Sequence, residues 1–358
     1  MNDEATPTSR FLHFFRATLA LVVVGSLSLA VFLAWSDQIR YPFDSTDAYS
    51  QTLYQRLVFR LLEVFLGVWA FVVGATVGSF LNVLIYRWPR GESVVLKPSH
   101  CPRCGAGIRL RDNVPILGWC RLKGLCRNCG LPISARYPSI ELLTGSVFLG
   151  LYCVELISGG WNIPVRSINA YKGAVYTVLY PRWDLISYWL FHSLLFCVLI
   201  TWCMTTLDRQ KFATWRILIL LLFVLIILGI LPFLIPVAPG RWLQHSAENC
   251  TWSSAILTAA IGGMVGAGIG YLLALMTRAG ASTSVLTGFL VFGMAMGWQA
   301  VLVVAFIAFA LMMLMKIRPS AFQQENPAGW LACTWLAACI IHQPIWRLVY
   351  DQTFGRLV

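Results

Sequence analysis

The residues with the clearest chemistry are four cysteines. Cys101 and Cys104 form one C-x-x-C pair and Cys126 and Cys129 another, with 21 residues between the pairs. Each pair places two thiolates close enough to share one ion, and four thiolates in a tetrahedral set suit zinc. A glycine directly follows each pair (Gly105, Gly130), where the chain must turn around the metal. Four protein sulfurs leave no open position for water, so the expected role is structural. Two disulfides are the alternative for the same spacing, and a reducing compartment opposes them. Cys120 is either a competing ligand or a small packed hydrophobe, and the second is the expectation. The other cysteines (Cys153, Cys197, Cys203, Cys250, Cys333, Cys339) lie mostly in apolar runs, and the odd total of 11 is unlike a complete disulfide framework. One carboxylate also stands out. Asp208 closes the apolar run 185–207 and precedes Arg209-Gln210-Lys211. An acid at the end of a membrane span is a functional candidate; the plainer reading is a charge that ends a helix.

The elements that position these residues are membrane helices. Of the 358 residues, 58% are hydrophobic and 12% charged, and the mean hydropathy is +0.71. A soluble domain carries about 25% charged residues. Runs long and apolar enough to span occur at 17–35, 64–86, 139–158, 185–207, 216–238, 254–277, 284–298, 299–315 and 329–347. Gly297 falls at a tight turn between the two short runs. The run Ala17–Trp35 is read as a retained helix, because no small-residue cleavage pattern follows it. The expected fold is all-α: a polytopic transmembrane bundle of eight or nine spans with a small zinc-bound cytosolic loop.

Charge sets the orientation. The net charge is +12, and the segment 87–137 holds ten Lys or Arg residues against two acids. The positive-inside rule makes that loop cytosolic. Alternation then puts Arg209, Lys211, Arg216, Arg278, Lys316 and Arg318 inside, and 36–60, 159–184 and 239–253 outside. The basic excess is thereby explained without nucleic acid, for which no pattern exists. Arg103, Arg109, Arg111, Arg121, Lys123 and Arg127 surround the cysteines. They read as a solvated face near anionic lipid or as a contact for an acidic group on a protein substrate. Trp161, Tyr171, Tyr176, Tyr180 and Trp183 suit a membrane–water interface. Gly262, Gly266 and Gly270 recur on one helix face, where small residues let helices approach; no strand precedes them, so they are not a nucleotide loop.

A longer pattern runs through the same region. It begins with Gly78-Ser79-Phe80-Leu81-Asn82-Val83-Leu84-Ile85-Tyr86-Arg87-Trp88-Pro89. It continues through Ser99-His100-Cys101-Pro102-Arg103-Cys104, Asn113-Val114-Pro115-Ile116-Leu117-Gly118-Trp119 and Gly124-Leu125-Cys126-Arg127-Asn128-Cys129-Gly130. It closes with Ile133-Ser134-Ala135-Arg136-Tyr137-Pro138 and Glu141-Leu142-Leu143-Thr144-Gly145. This block resembles the type IV prepilin peptidases. The resemblance implies a bacterial inner-membrane enzyme that cuts the basic leader from pilin-like or type II secretion pseudopilin precursors at the cytosolic face. It also implies methylation of the new N-terminus from S-adenosylmethionine, with the cysteine loop associated with that second activity, and two membrane-embedded aspartates for cleavage. Asp208 resembles the first of these.

The second aspartate is expected in a Gly-x-Gly-Asp motif ahead of a Gly-Trp. Here Gly293 and Gly297-Trp298 align, but the motif falls on Ser282-Thr283-Ser284-Val285, and no Asp or Glu occurs from 249 to 324. Two adjacent carboxyls divide the roles of base and acid, since both cannot easily ionise. Val285 can take neither role, so proteolysis is expected to be impaired or lost. Glu63, Glu141 and Glu155 are the other acids weighed as substitutes. The organisation reads as an N-terminal span and outer loop (1–63), a family region with the four-cysteine loop (64–145), a span with an aromatic outer segment (146–184), a peptidase-like core (185–315) and a C-terminal span (316–358). The alternative function is a non-catalytic binding or assembly subunit of a pilus or secretion machine. A transporter is disfavoured by the scarcity of charge within the spans.

Overall fold

The computed structural model describes residues 7–40, 51–96, 98–164, 173, 180–210, 214–235, 251–280, 283–316 and 324–353. The fold is all-α. Helices α1 (Pro7–Arg40), α2 (Leu53–Arg87), α3 (Leu117–Arg121), α4 (Arg136–Leu151) and α5 (Trp183–Leu207) are followed by α6 (Thr214–Ile230), α7 (Trp252–Met276), α8 (Thr283–Lys316) and α9 (Pro327–Thr353). A π-helical turn, Tyr152–Ile157, prolongs α4. Among the described residues there are no strands, only two isolated bridges. Seven of the helices are long and apolar enough to cross a membrane, and Trp215–Ile230 is a shorter apolar helix. The chain is a multi-pass membrane protein.

The two short runs predicted at 284–298 and 299–315 form one helical run broken at Gly297, whose backbone is non-helical at φ 82° and ψ 167°. A Cβ on Gly293 would lie 3.2 Å from Val301 Cγ2. A straight helix separates positions eight apart by about 12 Å, so the chain folds back at Gly297. The last predicted span is a single 27-residue helix despite Pro344 inside it. Of the predicted interfacial aromatics, Tyr171 and Tyr176 lie outside the described residues, and Trp161, Tyr180 and Trp183 are exposed.

The chain divides into two compact units. The first takes α1, α2 up to Ser79 and the stretch Pro98–Leu149. Its helices α2 and α4 meet through glycine. A Cβ on Gly74 would sit 2.7 Å from Phe148, one on Gly78 2.8 Å from the Glu141 backbone, and one on Gly145 2.9 Å from Phe71. Backbones this close need small residues at the contact.

The second unit takes Phe80–Lys97, Gly150–Lys172 and everything from Arg182 onward. Gly262 and Gly266 of α7 face α8 so closely that a Cβ on either would collide with the carbonyl of Gly293 or Phe289. These are the glycines expected to pack. Helix direction within this unit follows from named pairs. Leu207 O accepts from Asn326 Nδ2 (2.8 Å), Cys203 Sγ meets Cys333 Sγ (3.6 Å), and His192 Nδ1 lies 3.0 Å from Gln343 Nε2. Thus α9 runs antiparallel to α5. Phe289 stacks on Trp335 at 4.3 Å and Phe292 faces His342 at 6.3 Å, which makes the first half of α8 parallel to α9.

Candidate functional site

The cysteine loop folds as two copies of one turn. In the first, Cys101 N–H donates to Ala106 O and Gly105 N–H to Cys101 O, both at 2.9 Å; in the second, Cys126 N–H donates to Leu131 O at 2.8 Å and Gly130 N–H to Cys126 O at 2.9 Å. Gly105 and Gly130 adopt φ +72° and +69°, the left-handed turn that glycine adopts without a Cβ clash. The bridges His100–Gly107 and Leu125–Pro132 close the two turns. All four Sγ atoms lie within 4.8 Å of one another and could hold a metal ion. None of these cysteines is in a disulfide. Cys120 is exposed and outside the set, so it is neither a ligand nor the packed hydrophobe expected.

The sulfurs are prepared for a cation. The amides of Cys129 and Asn128 hold the Cys126 thiol down at about 6, and the Ala106 amide lowers Cys104. The Leu131 amide pulls Cys129 down too, but lost hydration and the neighbouring sulfurs push it up to about 11. Four thiols this close cannot all ionise alone; a cation among them removes the conflict. Zn–S bonds of about 2.3 Å imply S···S separations near 3.8 Å, within what the cluster allows.

A buried acid braces the module. Asp112 accepts from Arg127 Nε (2.6 Å) and Arg127 Nη2 (2.7 Å) and pairs with Arg121 at 3.2 Å. The Arg127 hydrogen bond holds the Asp112 carboxyl below the usual range. Trp119 Nε1 donates to Ile133 O at 2.9 Å. The Asn113–Trp119 motif makes a γ-turn: Ile116 has φ 63° and ψ −54°, and Leu117 N–H donates to Pro115 O at 2.6 Å. A β-branched residue at positive φ is strained. Its N–H is gripped by Glu141 Oε2 at 2.6 Å, and Ser79 also bonds that carboxylate. Asp112 and the clamp made by Glu141 are structural residues that sequence reasoning missed; the acidic letter alone carried no sign of its partner.

Asp208 caps the C-terminus of α5 and is exposed. Arg209 follows at φ +54°, with Gln210 N–H reaching back to Thr205 O at 3.0 Å. Asn326 ties this end to α9. Its Nδ2 donates to Leu207 O while its Oδ1 accepts from Gly329 N–H at 3.1 Å. The Arg209 guanidinium reaches the Glu325 carbonyl. Position 285 starts the first half of α8, which runs antiparallel to α5. Trp202 faces Phe289 at 5.6 Å, so Val285 points to the same end as Asp208, and it is 4% exposed. The three acids weighed as substitutes are engaged elsewhere: Glu63 with Arg60 at 2.6 Å, Glu141 with Ile116, and Glu155 with His192 at 2.5 Å.

Residues 72–156 match the model of the bacterial peptidase A24 N-terminal domain. The prepilin leader peptidase/N-methyltransferase of Myxococcus xanthus is 53% identical over 95 residues, covering 26% of this chain and 27% of that protein. The type 4 prepilin-like proteins leader peptide-processing enzyme of Escherichia coli O78:H11 is 39% identical over 151 residues, or 37% and 54% of the two chains. The prepilin leader peptidase/N-methyltransferase of Neisseria gonorrhoeae is 41% identical over 117 residues, or 26% and 40%. The chain thus spans between about a quarter and about half of the length of these relatives. No solved structure matches it. Its paired cysteine turns and the motifs that brace them lie within the matched segment, so residues 72–156 are similar to the bacterial A24 peptidase N-terminal domain and to part of the prepilin leader peptidases.

Proposed function

We propose that this protein processes pilin-like or type II secretion pseudopilin precursors at the cytosolic face of the bacterial inner membrane. It removes the basic leader, with N-methylation as an accompanying activity. The observation that carries the reading is the braced double turn of four cysteines within residues 72–156, the segment that matches the bacterial A24 peptidase N-terminal domain. The ten basic residues of 87–137 support a cytosolic loop. The metal is zinc in a structural role, held by Cys101, Cys104, Cys126 and Cys129. It keeps compact a segment too poor in apolar side chains to build its own core.

Asp208 is the catalytic acid at the end of α5, and the Schellman-type turn behind it together with Asn326 fixes its position. Position 285, where the second acid belongs, carries a buried valine, so leader cleavage is strongly impaired. The loss expected for a missing acid–base group is about 10²–10⁴-fold. S-adenosylmethionine as the methyl donor rests on the resemblance to the prepilin leader peptidase/N-methyltransferases.

The test incubates the membrane-embedded protein with a pilin-like precursor and reads the product N-terminus by mass spectrometry. The reading expects slow release of the leader, lost on Asp208→Asn. Tight retention of uncut precursor by both wild type and Asp208→Asn would instead favour a binding or assembly subunit, the reading to which the buried Val285 lends support.

A further inference from the structure

We infer that Glu325 supplies the carboxyl that position 285 lacks, so that Asp208 and Glu325 form the acid pair for the residual hydrolysis. This rests on the prepilin-processing reading above. The sequence between 249 and 324 contains no acid, and the first residue beyond that gap is Glu325. The fold brings it back to Asp208. Arg209, next to Asp208, reaches the Glu325 carbonyl. Asn326, next to Glu325, donates to the carbonyl of Leu207 at 2.8 Å. Asp208 is therefore flanked by a residue bonded to the Glu325 backbone, and Glu325 by a residue bonded to the backbone of Asp208's neighbour. Both residues are exposed while Val285 is buried, and both sit at the end of the helices to which Val285 points. Asn326 also caps α9 through Gly329 N–H at 3.1 Å, so the backbone carrying Glu325 is fixed by two helix ends.

The chemistry needs one carboxyl ionised and one protonated. The ionised carboxyl takes a proton from water as the water oxygen bonds to the scissile carbonyl carbon. The protonated carboxyl gives its proton to the carbonyl oxygen. The tetrahedral diol then collapses and the C–N bond breaks, with its electron pair staying on nitrogen. The carboxyl that gained the water proton passes a proton to that nitrogen, and a diol hydroxyl returns one to the other carboxylate. The pair ends with the charge and proton it began with, and one water has been added across the peptide bond. Glutamate is one methylene longer than aspartate and starts from a different helix end, so the geometry is poorer than that of an acid at 285 and the rate is low.

The test uses the full-length protein in detergent and a synthetic precursor with a basic leader, with leader release followed by mass. Wild type is expected to cleave slowly. Asp208→Asn and Glu325→Gln should each lower the rate by about 10²-fold or more. The double variant should be no worse than either single one, as for groups that act as a unit. Glu92→Gln, in the same compact unit, should cleave like wild type. Val285→Asp should restore cleavage to Glu325→Gln. Three results would overturn Glu325 while leaving the processing reading intact: a Glu325→Gln variant as fast as wild type, loss on Glu92→Gln instead, or a silent wild type beside an active Val285→Asp. Silence of both wild type and Val285→Asp would defeat the processing reading itself.

Discussion

Asp112 shows how much one side chain can hold. Its carboxylate joins a 3-10 turn to the second cysteine pair through Arg127 and to α3 through Arg121. Removing one partner of a buried ion pair leaves the other charged and unsatisfied. Asp112→Asn is therefore expected to destabilise the module by about 3 kcal/mol, seen as a lower melting temperature of the metal-loaded protein. The pH dependence has a definite sign. The folded carboxyl titrates below its ordinary value of 3.8, so its contribution is fully present above that value and is lost as pH falls through the lowered one. Wild type should lose this increment in acid and Asp112→Asn should not. Glu141→Ala should free the strained Ile116 turn and raise amide exchange at 114–118, while Glu141→Gln, which keeps an acceptor, should do so less. Neither role was legible in the sequence. The four cysteines were, because ligand spacing is local, whereas Asp112 and Glu141 act on partners 15 and 25 positions away.

At the scale of elements, the paired turns depend on their metal. Cys101→Ser or Cys126→Ser should make residues 98–135 sensitive to protease in the folded membrane protein, and chelation should do the same to wild type. Equal resistance with and without metal would contradict a structural ion. Gly288→Leu probes the contact of α5 with α8. A Cβ there would enter the Trp202 indole, so the expected cost is about 1–3 kcal/mol of overpacking, read as reduced thermal stability without loss of the metal. Hydropathy made the long helices legible because membrane length is itself the signal. It did not reveal the π-turn carrying Glu155, since one extra residue per turn leaves an apolar run unchanged. Nor did it show that α2 and α4 each pass from one compact unit to the other, because both are uninterrupted apolar runs. Gly297 was legible as a turn, while its backbone angles needed the structure.

For the whole molecule, the decisive experiment is the one that changes position 285. The direction of α5, α8 and α9 brings that position to the Asp208 end, so Val285→Asp should raise leader cleavage well above wild type, by up to about 10²–10⁴-fold. An unchanged rate would mean that an acid at position 285 does not join Asp208 in the reaction. The sequence placed 208 and 285 in separate spans but could not show that they lie at the same end of the helices, because helix direction and packing partners are not local properties.

The reversal at Gly297 has a bearing on sidedness. The arm from Thr283 to Met296 has 14 residues and reaches only about 21 Å, against a hydrocarbon layer of about 30 Å. An arm of that length is expected to dip into the bilayer and come back, with Arg278 and Lys316 emerging in the same compartment. Reporter domains fused after each of these two residues should light up together, and a split signal would show that the chain crosses there an odd number of times.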